Sequence, residues 1–221
     1  ESYAAEVRGA TGGHAVLAIC GEAMRSCLAS FGEASDEPLQ AMLAVNVRNA
    51  GAHALIGNHI AVSQVPLHTD LDFPIQRLQA IGATHPELSN VEADELTSFR
   101  LRSLYENLPA PLLAWLGRTA NRENSVHRGV LSAGNCGVSE MIGSDKPLYL
   151  LGARLIGFTG IQPLFSGCGL MFTSSTYCDQ IGLTFVSDKT KLPDPLVMRR
   201  CVDEAVAQVE RYLRDSKNKT A

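Results

Sequence analysis

The chain has 221 residues, of which 45% are hydrophobic and 19% are charged, and its formal net charge is −4. This composition excludes a disordered or fibrous protein, and the charge gives no electrostatic reason to expect nucleic acid or an anionic membrane as the main partner. The length suits one domain or a large part of a bigger protein, so we predict a single domain over residues 1–221, with 1–10 and 215–221 frayed.

The six cysteines are scattered and form no Cys-x-x-Cys pair, so the sequence indicates no metal site. Cys20 and Cys27 lie about 10 Å apart along a predicted helix, which is too far for a disulfide. The first residues have no charged start followed by an apolar core, so we expect no signal peptide, and the apolar runs fall short of the ~20 residues of a membrane span. These features predict reduced thiols and a cytoplasmic protein.

The first half of the chain predicts helices that alternate with strands. Apolar residues at helical spacing predict a helix that Thr11 caps and that continues to about Phe31. The next predicted elements are a strand at 41–47, a strand at 59–67 introduced by Gly57 and Asn58, a helix entered at Pro74, a helix at 91–108, and a shorter helix that Pro109 and Pro111 restart.

The second half is predominantly extended and ends in a helix. Strands are predicted at 126–134, 148–157, 170–177 and 181–187, and the short connection between the last two predicts a hairpin. Asp194 is the predicted cap of the terminal helix, with Pro195 at its first position. Periodicity alone therefore predicts an α/β or α+β fold.

Residues 138–154 have a simple structural interpretation. Gly143, Ser144 and Asp145 favour a turn, and Pro147 cannot donate a hydrogen bond to a sheet. On this interpretation, Leu148 and its neighbours form a buried strand that follows the turn.

The same stretch resembles the signature of bacterial wax ester synthase/diacylglycerol acyltransferases, in which Ser-Asn-Val-Pro-Gly-Pro precedes Leu-Tyr and Gly-Ala-Arg. Glu140 stands where the family has Asn, and Ile142 and Ser144 stand where it has prolines. Further matches follow in the family's order from about Arg8 to Leu213. The residues that match the signature are Ser139, Gly143, Pro147, Leu148, Tyr149, Gly152, Ala153 and Arg154.

The resemblance implies an α/β fold with a mixed β-sheet flanked by helices, as in the C-terminal half of chloramphenicol acetyltransferase-like proteins. It also implies the C-terminal domain of an O-acyltransferase that moves an acyl group from acyl-CoA to a long-chain alcohol or diacylglycerol. Relatives carry two adjacent histidines and Asp-Gly in an N-terminal half, and the second histidine is their general base. This chain has neither motif, so we expect it to contain no catalytic residue and to be inactive alone.

Seven residues are candidates for lining the substrate tunnel. Gly13 and His14 stand where the family has Asn-Asp; His14 is either a polar substitute at a helix start or, as the favoured alternative, a solvent-exposed remnant. Arg48 binds a CoA phosphate or completes the core, and Asn58 more simply holds its own turn. Ser139, Glu140 and Gly143 come from the signature, with Glu140 equally well explained as an exposed turn charge.

The resemblance also implies partners. We expect the N-terminal half of the same enzyme, acyl-CoA as a substrate and a lipid alcohol, with no cofactor and no metal. Peripheral contact with the inner membrane or lipid droplets and a homodimer are further expectations. The alternative function is a non-catalytic domain, derived from this family, that binds lipid or another protein.

Overall fold

The computed structural model describes residues 2–5, 7, 10–33, 37–46, 60–85, 108–120, 134–164 and 168–220. The helices are α1 (Ser2–Ala5), α2 (Gly12–Ser30), α3 (Pro74–Thr84), α4 (Ala110–Ala120) and α5 (Pro195–Thr220). The strands are β1 (Gln40–Asn46), β2 (Ile60–Pro66), β3 (Cys136–Ile142), β4 (Tyr149–Leu150), β5 (Ala153–Arg154), β6 (Leu170–Tyr177) and β7 (Gln180–Ser187).

Five of these strands form one mixed sheet in the order β2-β1-β3-β6-β7. The two outer pairings, β1 with β2 and β6 with β7, are antiparallel, whereas β3 is parallel to both of its neighbours. Strands β4 and β5 form a separate two-stranded hairpin. The expected α/β architecture with a mixed sheet and packed helices is confirmed.

The main hydrophobic core lies between one face of this sheet and the helices α2, α3 and α5. Val138 of β3 and Phe172 of β6 are adjacent in the ladder and contribute to that face, and Leu17 of α2 lies in the same core. All three side chains are almost fully buried, which stabilises the fold by about 1.5–3 kcal/mol for each large apolar side chain. Helix α2 is buried around most of its circumference and is the centre of the helical layer.

Most predicted elements are confirmed within one or two residues. These are the helix after Thr11, the strands now numbered β1, β2, β6 and β7, the helices entered at Pro74 and after Pro109, and the terminal helix. Asp194 accepts a hydrogen bond from the backbone N–H of Leu196, as its predicted capping role requires. The helix predicted at 91–108 and the strand predicted at 126–134 lie almost wholly outside the described residues.

Both ends of the chain contain helix. Ala4 of α1 is buried in the core, and α5 continues to Thr220. Fraying at either end stays a prediction. Among the helices that the structure describes, none combines the length and hydropathy needed to span a bilayer.

The predicted buried strand at 148–157 is wrong. Residues 148–155 instead form the hairpin of β4 and β5, whose four strand residues are exposed. Strand β3 lies immediately before the turn predicted at Gly143, in residues for which the sequence predicted no strand. It pairs with β1 and β6, and these partners distant in sequence, rather than local propensity, place it at the centre of the sheet.

A buried ion pair connects α2 to α3. Arg77 Nη1 lies 2.8 Å from Glu22 Oε2, and both side chains are almost completely buried. Arg77 also donates to the backbone carbonyls of His68 and Leu71, while Arg25 donates to Glu22. Glu22 is charged yet buried, because Arg77 and Arg25 supply its counter-charges. The pair fixes α2, and therefore the start of that helix, against the rest of the fold.

Candidate functional site

The candidate site lies where the end of β3 meets the start of α2. Glu140 shares the helix-facing side of β3 with Val138, because alternate residues of a strand point to the same side. His14, in the first turn of α2, is close enough to Glu140 to act on its ionisation. The tertiary structure therefore brings together two candidates that are 126 residues apart in the sequence.

His14 is fully buried, with both ring nitrogens in hydrogen bonds. The Thr11 backbone N–H donates to Nδ1 at 2.9 Å, and the Thr11 hydroxyl lies 2.8 Å from the same nitrogen. Nε2 lies 2.7 Å from the carbonyl oxygen of His85, which is an acceptor only. These partners assign the neutral tautomer in which Nε2 carries the proton.

This geometry gives His14 a structural role. It satisfies the backbone N–H of the residue that caps α2 and links that helix start to the residue after α3. The favoured expectation of a solvent-exposed remnant is wrong, because nearby segments enclose the ring. His14 offers no unoccupied nitrogen to take a proton from a substrate hydroxyl, so a general-base role is not supported.

Glu140 is exposed to solvent at the rim of the site, yet the protein around it is close enough to affect its charge. Desolvation raises the pKa of this carboxyl above its ordinary value. The nearby His14 ring acts in the opposite direction, but desolvation is the larger effect. A carboxyl group with a raised pKa is more readily protonated, and the protonated form donates a hydrogen bond.

Ser139 does not share a face with Glu140. The two residues are consecutive in β3, so their side chains lie on opposite sides of the sheet. Ser139 pairs with Thr173 of β6, and Glu140 pairs with Ser174. Of these two residues, Glu140 is therefore the one on the side of β3 that α2 covers. Ser139 faces the surface over which residues 155–164 pass, since Gly160 lies against Met141 and Thr173 there.

Ser174 is a site residue that the sequence interpretation missed. Its side chain is fully buried, and its Oγ has no hydrogen-bond partner within the described structure. It is the direct ladder neighbour of Glu140, and adjacent strands lie only about 4.7–4.9 Å apart. The polar run Thr173-Ser174-Ser175 in a central strand was the available signal, because buried hydroxyl groups require partners.

Gly143 and Gly13 have different environments. A side chain at Gly143 would collide with the backbone carbonyl of Thr176 and the ring of Phe158, so the chain requires glycine there. The Gly143 N–H donates to that same carbonyl at 2.8 Å and continues the pairing of β3 with β6. Gly13 lies half-buried in the first turn of α2. Both positions flank the site without supplying a reactive group.

Two candidates, Arg48 and Asn58, lie outside the described residues. Among the described residues, no group of three or more His, Cys, Asp or Glu side chains is arranged to hold a metal ion. The site therefore consists of an exposed carboxyl group, a buried hydroxyl group and a structural histidine. This arrangement can hold a polar group of a ligand, but its histidine is not free to act as a base.

The chain is similar to known acyltransferases. The family model described as the WS/DGAT C-terminal domain matches residues 56–210. The O-acyltransferase WSD of Acinetobacter baylyi is 26% identical over 182 residues, which cover 80% of this chain and 37% of that protein. The "Probable diacyglycerol O-acyltransferase Tgs4" of Mycobacterium tuberculosis is also 26% identical over 182 residues, covering 80% of this chain and 36% of its own length.

A solved structure shows the same fold. The wax ester synthase/diacylglycerol acyltransferase from Marinobacter aquaeolei VT8 superposes with a TM-score of 0.62 at 22% identity. The match covers 96% of this chain and 45% of that protein. This chain thus spans less than half the length of these relatives. Because the family model matches most of the chain, this protein belongs to the wax ester synthase/diacylglycerol acyltransferase family, of which it carries the C-terminal domain.

Proposed function

We propose that this chain is the C-terminal domain of an O-acyltransferase that transfers an acyl group from acyl-CoA to a long-chain alcohol or diacylglycerol. It forms one wall of the substrate tunnel, with Glu140 at the rim and the hydroxyl of Ser174 beside it. An N-terminal half of the same enzyme supplies the catalytic histidine. That histidine takes the proton of the acceptor hydroxyl, the oxygen attacks the thioester carbonyl, and CoA leaves as its thiol.

The observation that carries this proposal is the match to the family's C-terminal domain. The histidine at the candidate site, His14, already uses both ring nitrogens in hydrogen bonds within the protein. The hydrogen bonds of His14 leave neither ring nitrogen available. The sequence also contains no adjacent histidines and no Asp-Gly dipeptide, which are the family's catalytic motif. A histidine base of the family's kind would therefore come from outside these residues.

A direct assay tests the proposal. The 221-residue chain and its full parent polypeptide are each incubated with palmitoyl-CoA and either hexadecanol or a diacylglycerol, and ester formation is measured. We expect product from the parent and none from the chain alone, because losing a general base costs about 10²–10⁴-fold in rate. Robust turnover by the chain alone, or a parent that turns over neither acceptor, contradicts the proposal.

The role of Glu140 has its own test in the parent enzyme. Glu140→Gln keeps the size of the side chain but removes its charge, and Glu210→Gln on the exposed side of α5 is the matched control. Losing one hydrogen bond to a bound ligand changes affinity by about tenfold or less, so we expect KM to shift within that range while kcat stays the same. Equal kinetics for the two variants would show that Glu140 does not line the substrate tunnel.

The alternative is a non-catalytic domain of this family that binds lipid or a partner protein. Its supporting observation is the departure at Glu140, where the family has an amide. The sequence of the parent upstream of this domain separates the two possibilities. An adjacent histidine pair with Asp-Gly there supports the enzyme, and a parent without it supports the binding domain.

A further inference from the structure

Glu140 and Ser174 are polar side chains that lie next to each other without partners. They are direct neighbours in the ladder of β3 and β6, so they share the side of the sheet that α2 covers. Glu140 makes no ion pair or hydrogen bond with the described residues, and the Oγ of Ser174 has no hydrogen-bond partner among them. Two such groups side by side indicate a position that a polar group of a ligand completes.

The unpaired hydroxyl of Ser174 has a cost for the domain. The side chain is fully buried, and a buried polar group without a hydrogen bond destabilises a protein. Alanine would fill nearly the same space without that cost. The hydroxyl therefore does not stabilise the isolated domain, which favours a role in binding.

The groups around this pair do not complete it. His14 uses both ring nitrogens, one for the Thr11 N–H and one for the carbonyl of His85. The Glu140 side chain is exposed, and no described contact holds it in one orientation. Ser174 lies about one strand spacing, 4.7–4.9 Å, from Glu140. A ligand group that turns the Glu140 side chain aside therefore reaches the buried Oγ.

One hydroxyl group of a ligand satisfies both side chains at once. It donates a hydrogen bond to the Glu140 carboxylate and accepts one from the Ser174 hydroxyl. The carbonyl oxygen of a thioester only accepts, so it would leave the carboxylate unpaired. The hydroxyl that attacks the thioester gives its proton to the histidine of the N-terminal half, so that proton is not available to Glu140. A second hydroxyl group of the same substrate has no such task.

The acceptor is a better source of this hydroxyl than acyl-CoA. The phosphates of acyl-CoA are negatively charged, and an ionised Glu140 repels such groups within a range of about 8 Å at physiological salt. Burial raises the pKa of Glu140 and His14 lowers it, whereas no lysine or arginine of the described residues acts on this group. The charge of the carboxylate is therefore not offset by a described cation. The acceptor is uncharged and meets no such repulsion.

We propose that Glu140 and Ser174 bind a second hydroxyl group of the acceptor, so that the preferred acceptor is a lipid with two neighbouring hydroxyl groups, such as a monoacylglycerol. This inference rests on the proposed function and narrows its class of acceptors. One hydroxyl group reacts at the histidine of the N-terminal half. The other is held by β3 and β6 at the rim of the site.

Two alcohols that differ by one hydroxyl group test the inference in the full parent polypeptide. Ester formation from palmitoyl-CoA is measured with 1-dodecanol and with 1,2-dodecanediol, and the KM values of the two acceptors are compared. We expect the KM for the diol to be about tenfold lower in the wild type, because its second hydroxyl makes two further hydrogen bonds. Ser174→Ala should raise the KM for the diol by about threefold to tenfold and leave the KM for palmitoyl-CoA unchanged.

Ser175→Ala is the matched control. Ser175 is also buried with an unpaired Oγ, but it follows Ser174 in β6 and therefore points to the opposite side of the sheet. This variant should keep the preference for the diol. Glu140→Gln should reduce the preference, because glutamine carries no charge. Urea unfolding checks that Ser174→Ala folds, and we expect it to be at least as stable as the wild type because it loses only an unpaired hydroxyl.

Three outcomes overturn the inference. These are equal KM values for the two acceptors in the wild type, a preference for the diol that Ser174→Ala retains, and a raised KM for palmitoyl-CoA in Ser174→Ala, which would assign the pair to CoA. Equilibrium binding of both alcohols to the parent is measured in parallel, without acyl-CoA. Selective binding of the diol by an inactive parent rejects the proposed function alone. An active parent without that selectivity rejects this inference alone.

Discussion

The interior between α2 and α3 and the hairpin of residues 148–155, which we call the apolar hairpin, are opposite exceptions to the usual burial of residues. The first buries charge, because Glu22 and Arg77 lie in the core, and the second exposes leucines. In the interior each charged group has partners on several elements, including Gln208 of α5, which lies 3.3 Å from Glu22. At the tip of the hairpin the apolar side chains have no covering residues among those described.

The difference shows in which region the contacts that each side chain requires are all made within the described chain. A buried charge is tolerated only with its partners, so the α2–α3 contact is finished within this chain. The hairpin of residues 148–155 is anchored at its base by Tyr177, but its exposed apolar side chains have no covering residues among those described. The first region is satisfied by contacts between elements of the described chain, and the second is held only at its base.

Breaking the ion pair tests the first half of this comparison and has the largest expected effect. Glu22→Gln leaves Arg77 buried without a counter-charge, and removing one partner of such a pair costs about 3–5 kcal/mol of unfolding free energy. The measurement is urea unfolding of the 221-residue chain. Asp203→Asn is the control, because its pair with Arg199 is exposed. A loss no greater than the control's would mean that the buried pair is dispensable.

Acid should weaken the same contact by a smaller amount. Burial raises the pKa of Glu22, but the hydrogen bond from Arg25 and the charges of Arg77 and Arg25 outweigh it, so the pKa lies below the ordinary 4.5. A depressed folded-state pKa means that the stabilisation is fully present above the pKa of the unfolded state and is lost as the pH falls through the pKa of the folded state.

The measurement compares the unfolding free energies of the wild type and Glu22→Gln at a series of pH values. We expect the difference between them to be constant near neutral pH and to narrow below about 4.5, since protonated Glu22 resembles glutamine. A difference that does not change with pH would assign the stabilisation to packing instead of charge.

Loosening the apolar hairpin tests the second half of the comparison and has the smallest expected effect. Tyr177→Phe removes the hydroxyl that holds both ends of the hairpin, so opening should become easier by about 1–2 kcal/mol. The measurement is hydrogen exchange at the amides of Leu148 and Leu155. Tyr149→Phe, at an exposed position in the hairpin, is the control. Unchanged amide exchange in Tyr177→Phe would show that the hydroxyl group of Tyr177 does not restrain the hairpin.

Local patterns predicted the elements whose periodicity agrees with their burial. The stripe of α2, the helix begun by Pro74 and the hairpin of β6 and β7 were all predicted because apolar spacing and turn residues act over a few positions. Arg77 was missed although it lies four residues before the buried Ile81 on the same side of α3. The position of Arg77 on the apolar side of α3 was the available signal for a buried ion pair.

The candidate site was predicted only in part. Glu140 was selected from the family signature and His14 from its match to the family's Asn-Asp pair, and the structure brings them together. Ser139 was grouped with Glu140, yet strand geometry separates the two side chains. The hydrogen bonds of His14 to Thr11 and His85 were not predictable, because the second partner is 71 residues away.

The sequence by itself determined the family and most helices and strands, since motifs and periodicity are properties of neighbouring residues. The tertiary structure decided that β3 is central, that His14 is a buried structural residue and that residues 148–155 are an exposed arm. The physical reason is that burial depends on which distant segments pack against a residue. The run Leu148-Tyr149-Leu150-Leu151 has the composition of a core strand, but in this domain no described segment covers its tip.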